Sequence, residues 1–165
     1  MSTGNPRLLI VSPAWCQGWW RGGKVLAPPL SLPLLAGLTP PGVDIQLVDE
    51  NIERLDPDTP ADWVAITALT ASAPRAYEIA AAFRERSIPV VMGGIHPTVL
   101  PDEAAMHADA VVIGEAEGVW PQVISDLAGG RLKPRYQAEG YHDLVGLPRP
   151  RRELLRTERY LTINV

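Results

Sequence analysis

Short apolar runs separated by polar, proline-rich or glycine-rich segments make up most of the chain. Continuous runs at 7–13, 62–67, 89–92 and 110–113 are typical of strands buried on both faces of a parallel sheet. Residues 43–49 (VDIQLVD) instead alternate between apolar and polar, which indicates a strand with one less buried face, at an edge of the sheet. The pattern therefore predicts five strands.

Apolar residues recur at helical spacing between these strands. The leucines of residues 30–38 predict a helix that packs against the sheet. Ser72 is positioned to cap a second helix. The apolar stripe of this second helix comprises Ala76, Ile79, Ala80 and Phe83. A short helix is expected at 102–107, and the stripe of the last helix comprises Trp120, Val123, Ile124 and Leu127.

Strands that alternate with helices at this cadence predict an α/β fold with right-handed crossovers and helices on both faces of a parallel sheet. Five strands favour the flavodoxin-like (Rossmann-like) order 2-1-3-4-5. From residue 131 the pattern gives way to polar, proline-containing sequence, which ends on a short apolar run at 161–165. We therefore expect one ligand-binding domain at 1–130 and a linker at 131–165.

Composition narrows the function further. The formal net charge is −4 and no basic block occurs, which disfavours a nucleic-acid-binding surface. The sequence contains no apolar segment of membrane-spanning length and no secretory signal, so a cytoplasmic location is expected. Cys16 is the single cysteine, which excludes an internal disulfide and a multi-cysteine metal site within these residues.

Small and hydroxyl-bearing residues follow three of the predicted strands. Gly93 and Gly94 end the fourth strand, where they allow a sharp turn and leave no Cβ to block a ligand. Thr67 and Thr70 follow the third strand, and Gly114 follows the fifth. Ligands of open α/β sheets bind at this carboxyl edge, so these residues predict a deep slot. Caps and tight turns are the alternative, purely structural roles for the same residues.

Other ligand chemistries fit the sequence less well. Residues 18–24 (GWWRGGK) match the letters of a phosphate-binding loop, but Val25 offers no hydroxyl for magnesium. No G-x-G-x-x-G follows the first strand, and Thr67 stands where a receiver domain needs an aspartate. Nucleophilic catalysis by Cys16 with a histidine stays a less favoured alternative, because the histidines are scattered along the chain. The same scatter disfavours a closed zinc site.

Four longer segments occur in a specific order and spacing. They are PPLSLPLLAGL at 28–38, ITALT at 66–70, VVMGGIHPTVLPDEA at 90–104 and VVIGEAEGVWPQVI at 111–124. Each segment alone is a weak signal. Together they resemble the N-terminal cobalamin (B12)-binding domain of B12-dependent radical S-adenosylmethionine enzymes. The resemblance covers residues 7–130, and residues 131–165 resemble the linker before the catalytic barrel of those enzymes.

The resemblance implies that a corrin ring lies over the carboxyl edge of the sheet, with its dimethylbenzimidazole tail in the slot. The implied cofactor-binding residues are Pro13, Ala14, Trp15, Thr67, Ala68, Leu69, Thr70, Gly93, Gly94, His96, Thr98, Gly114, Glu115 and Glu117. Cobalamin domains of the methionine synthase type carry D-x-H-x-x-G after the first strand, and its histidine ligates cobalt. Residues 12–18 here read SPAWCQG. We therefore expect base-off cobalamin without a histidine on the lower face of the cobalt, and we expect His96 on the tail side.

Catalysis in the resembled enzymes needs S-adenosylmethionine and a [4Fe-4S] cluster held by a C-x-x-x-C-x-x-C loop. One cysteine cannot hold such a cluster, so we expect this chain to be the non-catalytic, cofactor-binding part of a longer enzyme. By resemblance, that enzyme is expected to be a methyltransferase in which cobalamin accepts a methyl group from S-adenosylmethionine. Some relatives perform ring formation, ring contraction or oxidation instead. A free-standing corrinoid carrier or sensor and a flavodoxin-like module for another ligand remain the alternatives.

Overall fold

Parallel strands form one six-stranded sheet in the part of the chain that the computed structural model describes. The described residues are 4–15, 27–140, 142–143, 145–156 and 160. The strands are β1 (Arg7–Ser12), β2 (Asp44–Asp49), β3 (Trp63–Thr67), β4 (Val90–Gly93), β5 (Ala110–Ile113) and β6 (Arg135–Gln137). Their order is β2-β1-β3-β4-β5-β6, which confirms the order predicted for the first five strands and places β2 at an edge.

Helices cover both faces of the sheet and bury two separate apolar clusters. They are α1 (Ser31–Leu38), α2 (Ala73–Glu85), α3 (Ile95–Val99), α4 (Pro101–His107) and α5 (Trp120–Ala128). The cluster on one face joins strand residues to α1 and α5, and the other joins them to α2 and α4. The predicted stripe of α2 is buried throughout. None of the described helices combines the length and apolar character that a membrane span requires.

The sixth strand lies in the segment predicted to be a linker. In β6 only Tyr136 is buried, and the charged and polar residues on either side leave no apolar run that would reveal a strand. Tyr136 is held by the buried carboxylate of Asp126, whose Oδ2 accepts the tyrosine hydroxyl at 2.9 Å. Beside its backbone pairing with β5, β6 is anchored by one aromatic side chain and its hydrogen bond, which hydropathy alone does not show.

Ser72 does not cap α2, and this expectation was wrong. Its hydroxyl accepts the backbone N–H of Leu69 at 3.1 Å and donates to the Leu69 carbonyl at 3.2 Å. The side chain thereby closes the short 3-10 turn Thr70–Ser72 that follows β3. Because the hydroxyl is used in this turn, the first N–H groups of α2 receive no side-chain cap.

Asp126 predicts an acid-sensitive contribution to stability. The hydrogen bond from Tyr136, together with Gln122 and the nearby cations, lowers the pKa of Asp126 in the folded state. A lowered folded-state pKa stabilises the fold above the unfolded value of about 4, and this stabilisation is lost as pH falls. We expect Asp126→Asn to lower the melting temperature at pH 7 and to cost less at pH 3. An equal difference between the two proteins at both pH values would contradict this prediction.

Candidate functional site

A cavity of about 190 Å³ lies at the carboxyl edge of the sheet, on the face covered by α1 and α5. Its lining combines one side of α1, the ends of the three strands β3, β4 and β5, and the connection from β5 to α5. The lining residues are Ser31, Leu34, Leu35, Leu38, Ala65, Ile66, Thr67, Val91, Gly93, Gly94, Val112, Gly114, Glu115, Ala116, Glu117 and Trp120. The space is a mostly apolar slot with a few polar groups near the strand ends.

Six of the fourteen predicted site residues line this cavity. They are Thr67, Gly93, Gly94, Gly114, Glu115 and Glu117. Strand residues two positions earlier lie beneath them, because alternate residues of a strand face the same side of the sheet. Thus Ala65, Val91 and Val112 complete the lining that Thr67, Gly93 and Gly114 begin. The two-residue period could have identified these three from the sequence once the glycines were assigned to the slot.

The helical wall of the cavity was not among the predicted site residues. Leu34, Leu35 and Leu38 of α1 face the strands across the cavity, and Trp120 of α5 contributes its indole ring. The Trp120 Nε1–H group donates to Thr39 Oγ1 at 2.9 Å, a buried bond between side chains far apart in the sequence. This bond ties the start of α5 to the end of α1. The leucine pattern predicted a helix against the sheet, but not that part of it faces a cavity.

Gly93 and Gly94 serve the slot in different ways. A Cβ at Gly93 would lie 3.5 Å from Val112 Cβ, an ordinary contact, so the backbone there tolerates a side chain and the cavity would receive it. Gly94 has φ of 101°, and a Cβ there would lie 2.8 Å from the Ala68 carbonyl oxygen. Gly94 is therefore required by the turn itself. Gly93 instead keeps the floor of the slot open.

Two predicted site residues, Thr98 and Ala68, do not line the cavity but hold the turns at its edge. The Thr98 hydroxyl donates to the Gly94 carbonyl at 2.8 Å and accepts the Gly114 N–H at 3.0 Å, which links the turns after β4 and β5. Ala68 is fully buried, and its carbonyl accepts the His96 N–H at 3.0 Å. Leu69 and Thr70 lie in the turn after β3, and neither lines the cavity.

His96, in α3, is buried against α2 and α4 and does not line the cavity. Its Nε2 lies 2.6 Å from the Tyr77 hydroxyl, which donates to Glu103 Oε1 at 2.9 Å. Because the tyrosine proton goes to Glu103, this network assigns the Nε2 proton to His96. Its Nδ1 then has no hydrogen-bond partner among the described residues. Burial, with the Glu103 bond, raises the pKa of Tyr77 to about 12, so the hydroxyl stays protonated at neutral pH.

The loop after β1 lies at the same edge of the sheet and is fixed by side chains that follow β2. The Ala14 N–H donates to Glu50 Oε2 at 3.4 Å, and the Trp15 N–H donates to Asn51 Oδ1 at 3.3 Å. The Glu50 carboxylate is nearly buried and also accepts Arg75 Nη2 at 2.7 Å, a bond that raises the pKa of this arginine. Pro13 is buried, and Trp15 is 48% exposed.

Several features predicted from sequence lie outside the described residues. They are Cys16, the loop tryptophans Trp19 and Trp20, the phosphate-loop-like segment 18–24 and the apolar run 161–165. Among the described residues, the cavity presents threonine, serine and carboxylate oxygens and backbone groups, with no histidine or lysine in its lining. The lining is thus mainly apolar, with its polar groups near the strand ends.

Longer curated proteins resemble this chain over part of their length. The chain is 45% identical over 113 residues to bacteriochlorophyllide d C-8(2)-methyltransferase of Chlorobaculum tepidum, covering 68% of this chain and 25% of the relative. It is 31% identical over 144 residues to the C-12(1)-methyltransferase of the same organism, covering 86% and 32%. An uncharacterized methyltransferase of Synechocystis sp. is 26% identical over 171 residues, covering 96% and 32%. The chain thus spans about a quarter to a third of the length of these relatives.

The family described as B12 binding domain matches residues 25–124, which is more than half of the chain. This match includes α1, β2 to β5 and most of α5, and therefore every element that lines the cavity. The fold, with its parallel sheet and its slot at the carboxyl edge, agrees with the match. The chain belongs to the B12-binding domain family.

Proposed function

We propose that this domain holds cobalamin in the base-off form, with the dimethylbenzimidazole tail in the cavity and the corrin over the carboxyl edge of the sheet. The observation that carries the proposal is the apolar cavity whose floor stays open because Gly93 has no side chain. The lining also has a small side chain at Ala65 and none at Gly114. The residues present therefore fit a flat aromatic group that enters between the sheet and α1.

Each part of the cavity has a distinct task in this proposal. Leu34, Leu35 and Leu38 provide the apolar wall against which an aromatic ring packs. Thr67 and Glu117 place oxygen atoms where the hydroxyl groups of a nucleotide tail can bond. Two further members of the implied site act indirectly: the Thr98 hydroxyl and the Ala68 carbonyl hold the turns that shape the slot.

The loop after β1 provides the surface under the corrin in this proposal. Its Pro13, Ala14 and Trp15 carry no side chain that ligates cobalt, and their backbone is held by Glu50 and Asn51. The three histidines of the sequence lie in other elements. We therefore propose that the lower face of the cobalt receives no histidine nitrogen from this chain.

A titration with Co(II) cobalamin tests both the binding of cobalamin in the base-off form and the absence of a histidine ligand on the lower face of the cobalt. We expect saturable binding, with an EPR spectrum that lacks the nitrogen splitting of a base-on or histidine-ligated centre. His96→Gln should leave that spectrum unchanged, because His96 lies outside the cavity. Absence of binding would refute cobalamin as the ligand. Nitrogen splitting would refute the unligated lower face. If the nitrogen is that of the dimethylbenzimidazole, it would also refute the base-off form with its tail in the cavity.

We further propose that the domain serves a B12-dependent radical S-adenosylmethionine methyltransferase. The relatives described above are named as methyltransferases, and this chain covers a third or less of each, which supports this proposal. In such an enzyme, bound cobalamin supplies a carrier for a methyl group, and a [4Fe-4S] cluster with S-adenosylmethionine in a following domain generates the radical. A reading frame that continues into a C-x-x-x-C-x-x-C loop is expected, and its absence would favour a free-standing corrinoid carrier.

A further inference from the structure

The segment 148–156, here called the strap, packs along the outside of α1. The Arg151 N–H donates to the Pro33 carbonyl at 2.8 Å. The Arg149 carbonyl oxygen lies so near Gly37 that a Cβ on this glycine would approach it to 2.7 Å. Leu155 is buried in the same apolar cluster as α1. The strap therefore occupies a defined place in the fold.

The strap and the cavity contact different sides of the same helix. Pro33 and Gly37, one helical turn apart, face the strap. Leu34 and Leu38, also one turn apart, face the cavity. The helix α1 is thus a thin partition between the two, and a displacement of the strap changes the space available to α1 at the cavity wall.

The helix α1 depends on external support. It has eight residues and no side-chain cap at its start, and it contains both a proline and a glycine. Isolated helices of fewer than about 12 residues are marginal in water, and glycine lowers helix stability further. The position of α1 is therefore set by its tertiary contacts, among which the strap supplies those at Pro33 and Gly37.

The chain on either side of the strap is also anchored. Before it, the His142 N–H donates at 2.8 Å to Oε2 of Glu115, which lines the cavity. At its last residue, Arg156 pairs with Glu53 at 3.2 Å, and after it the buried Tyr160 hydroxyl donates to Asp49 Oδ2 at 2.8 Å. These contacts connect one wall of the cavity, the outside of α1 and the end of β2.

We propose that the strap is a working part of the cofactor site, which sets the width of the slot by holding α1 against it. This inference rests on the proposed function, because it assigns the cavity to the nucleotide tail of a corrinoid. Residues Gly37 and Tyr160 are positioning residues in this view. They contact no ligand and act through the partition helix.

The test compares cobalamin with cobinamide, a corrinoid without the dimethylbenzimidazole nucleotide. The ratio of their dissociation constants isolates the contribution of the tail, because general destabilisation of the domain weakens the binding of both corrinoids alike. Gly37→Ala displaces the strap while adding a better helix former. Tyr160→Phe removes the hydrogen bond to Asp49 that follows the strap. Tyr136→Phe is the matched control, because it removes an equivalent buried bond to Asp126 away from the strap.

We expect the wild-type chain to bind cobalamin more tightly than cobinamide. Gly37→Ala and Tyr160→Phe should each reduce this affinity ratio by about tenfold, equivalent to 1.4 kcal/mol. Tyr136→Phe should keep the wild-type ratio. An unchanged affinity ratio in both Gly37→Ala and Tyr160→Phe would overturn the inference while leaving the proposed function intact. Equal affinity of the wild-type chain for the two corrinoids would refute the tail assignment, and no binding of either would refute the proposed function itself.

Discussion

Replacing Gly93 by leucine is expected to weaken cobalamin binding at least 100-fold, equivalent to roughly 2.7 kcal/mol, while the domain stays folded. The Cβ has room beside Val112, so the backbone of β4 need not move, and the rest of the side chain enters the cavity. The ligand then loses the volume that its aromatic group needs. Spectroscopic titration with cobalamin measures the effect.

Two comparisons make the Gly93 result interpretable. Gly93→Ala adds only a methyl group and should give an intermediate loss of affinity. Thermal unfolding should show that Gly93→Leu retains a cooperative transition close to that of the wild-type protein. Wild-type affinity in a folded Gly93→Leu protein would remove the cavity as the site of the nucleotide tail.

Gly94→Ala is expected to act on the fold and to cost roughly 3 kcal/mol of unfolding free energy or more, from backbone strain together with the clash. The φ of 101° is unfavourable for alanine, and its Cβ would lie 2.8 Å from the Ala68 oxygen. That oxygen belongs to buried backbone and accepts the His96 N–H, so it cannot move away cheaply.

Chemical denaturation measures the Gly94 effect, and Gly42→Ala is the matched control. Gly42 also has a positive φ, of 91°, but a Cβ there meets no atom within 4 Å. The difference between the two variants therefore isolates the contact with Ala68 from the conformational strain. Equal losses would show that strain alone explains the requirement for glycine, contrary to the packing argument.

The sequence was sufficient to predict the central architecture, because each buried strand is a short apolar run that ends in a glycine or a hydroxyl residue. The order follows from the preference of five-stranded open α/β sheets for 2-1-3-4-5, and the edge position of β2 follows from its alternation of apolar and polar residues. The strand β6 was missed since Tyr136 is its one buried residue. The cap at Ser72 was wrong because a hydroxyl near a helix start can equally close the preceding turn, and sequence does not separate these bonds.

Predictions of the site from sequence covered the strand ends and not the helix that faces them. Thr67, Gly93 and Gly114 were identifiable because parallel strands end at one edge. The cavity face of α1 was not, since its leucines are divided between the sheet, the cavity and neighbouring elements. The docking of residues 148–156 was also missed, because it combines backbone contacts with Pro33 and Gly37 and the burial of Leu155 within a polar, proline-containing segment.

The alternation of residues along the strands has a practical consequence for engineering. Ala65, Val91 and Val112 point into the cavity, whereas Val64, Met92 and Val111 belong to the cluster on the other face. Substitutions at Ala65, Val91 and Val112 therefore change the cavity together with the apolar cluster on its face, whereas substitutions at Val64, Met92 and Val111 act on the opposite cluster. Under the proposed function, adding or removing single methyl groups at Ala65, Val91 or Val112 should change which lower bases of a corrinoid the cavity admits.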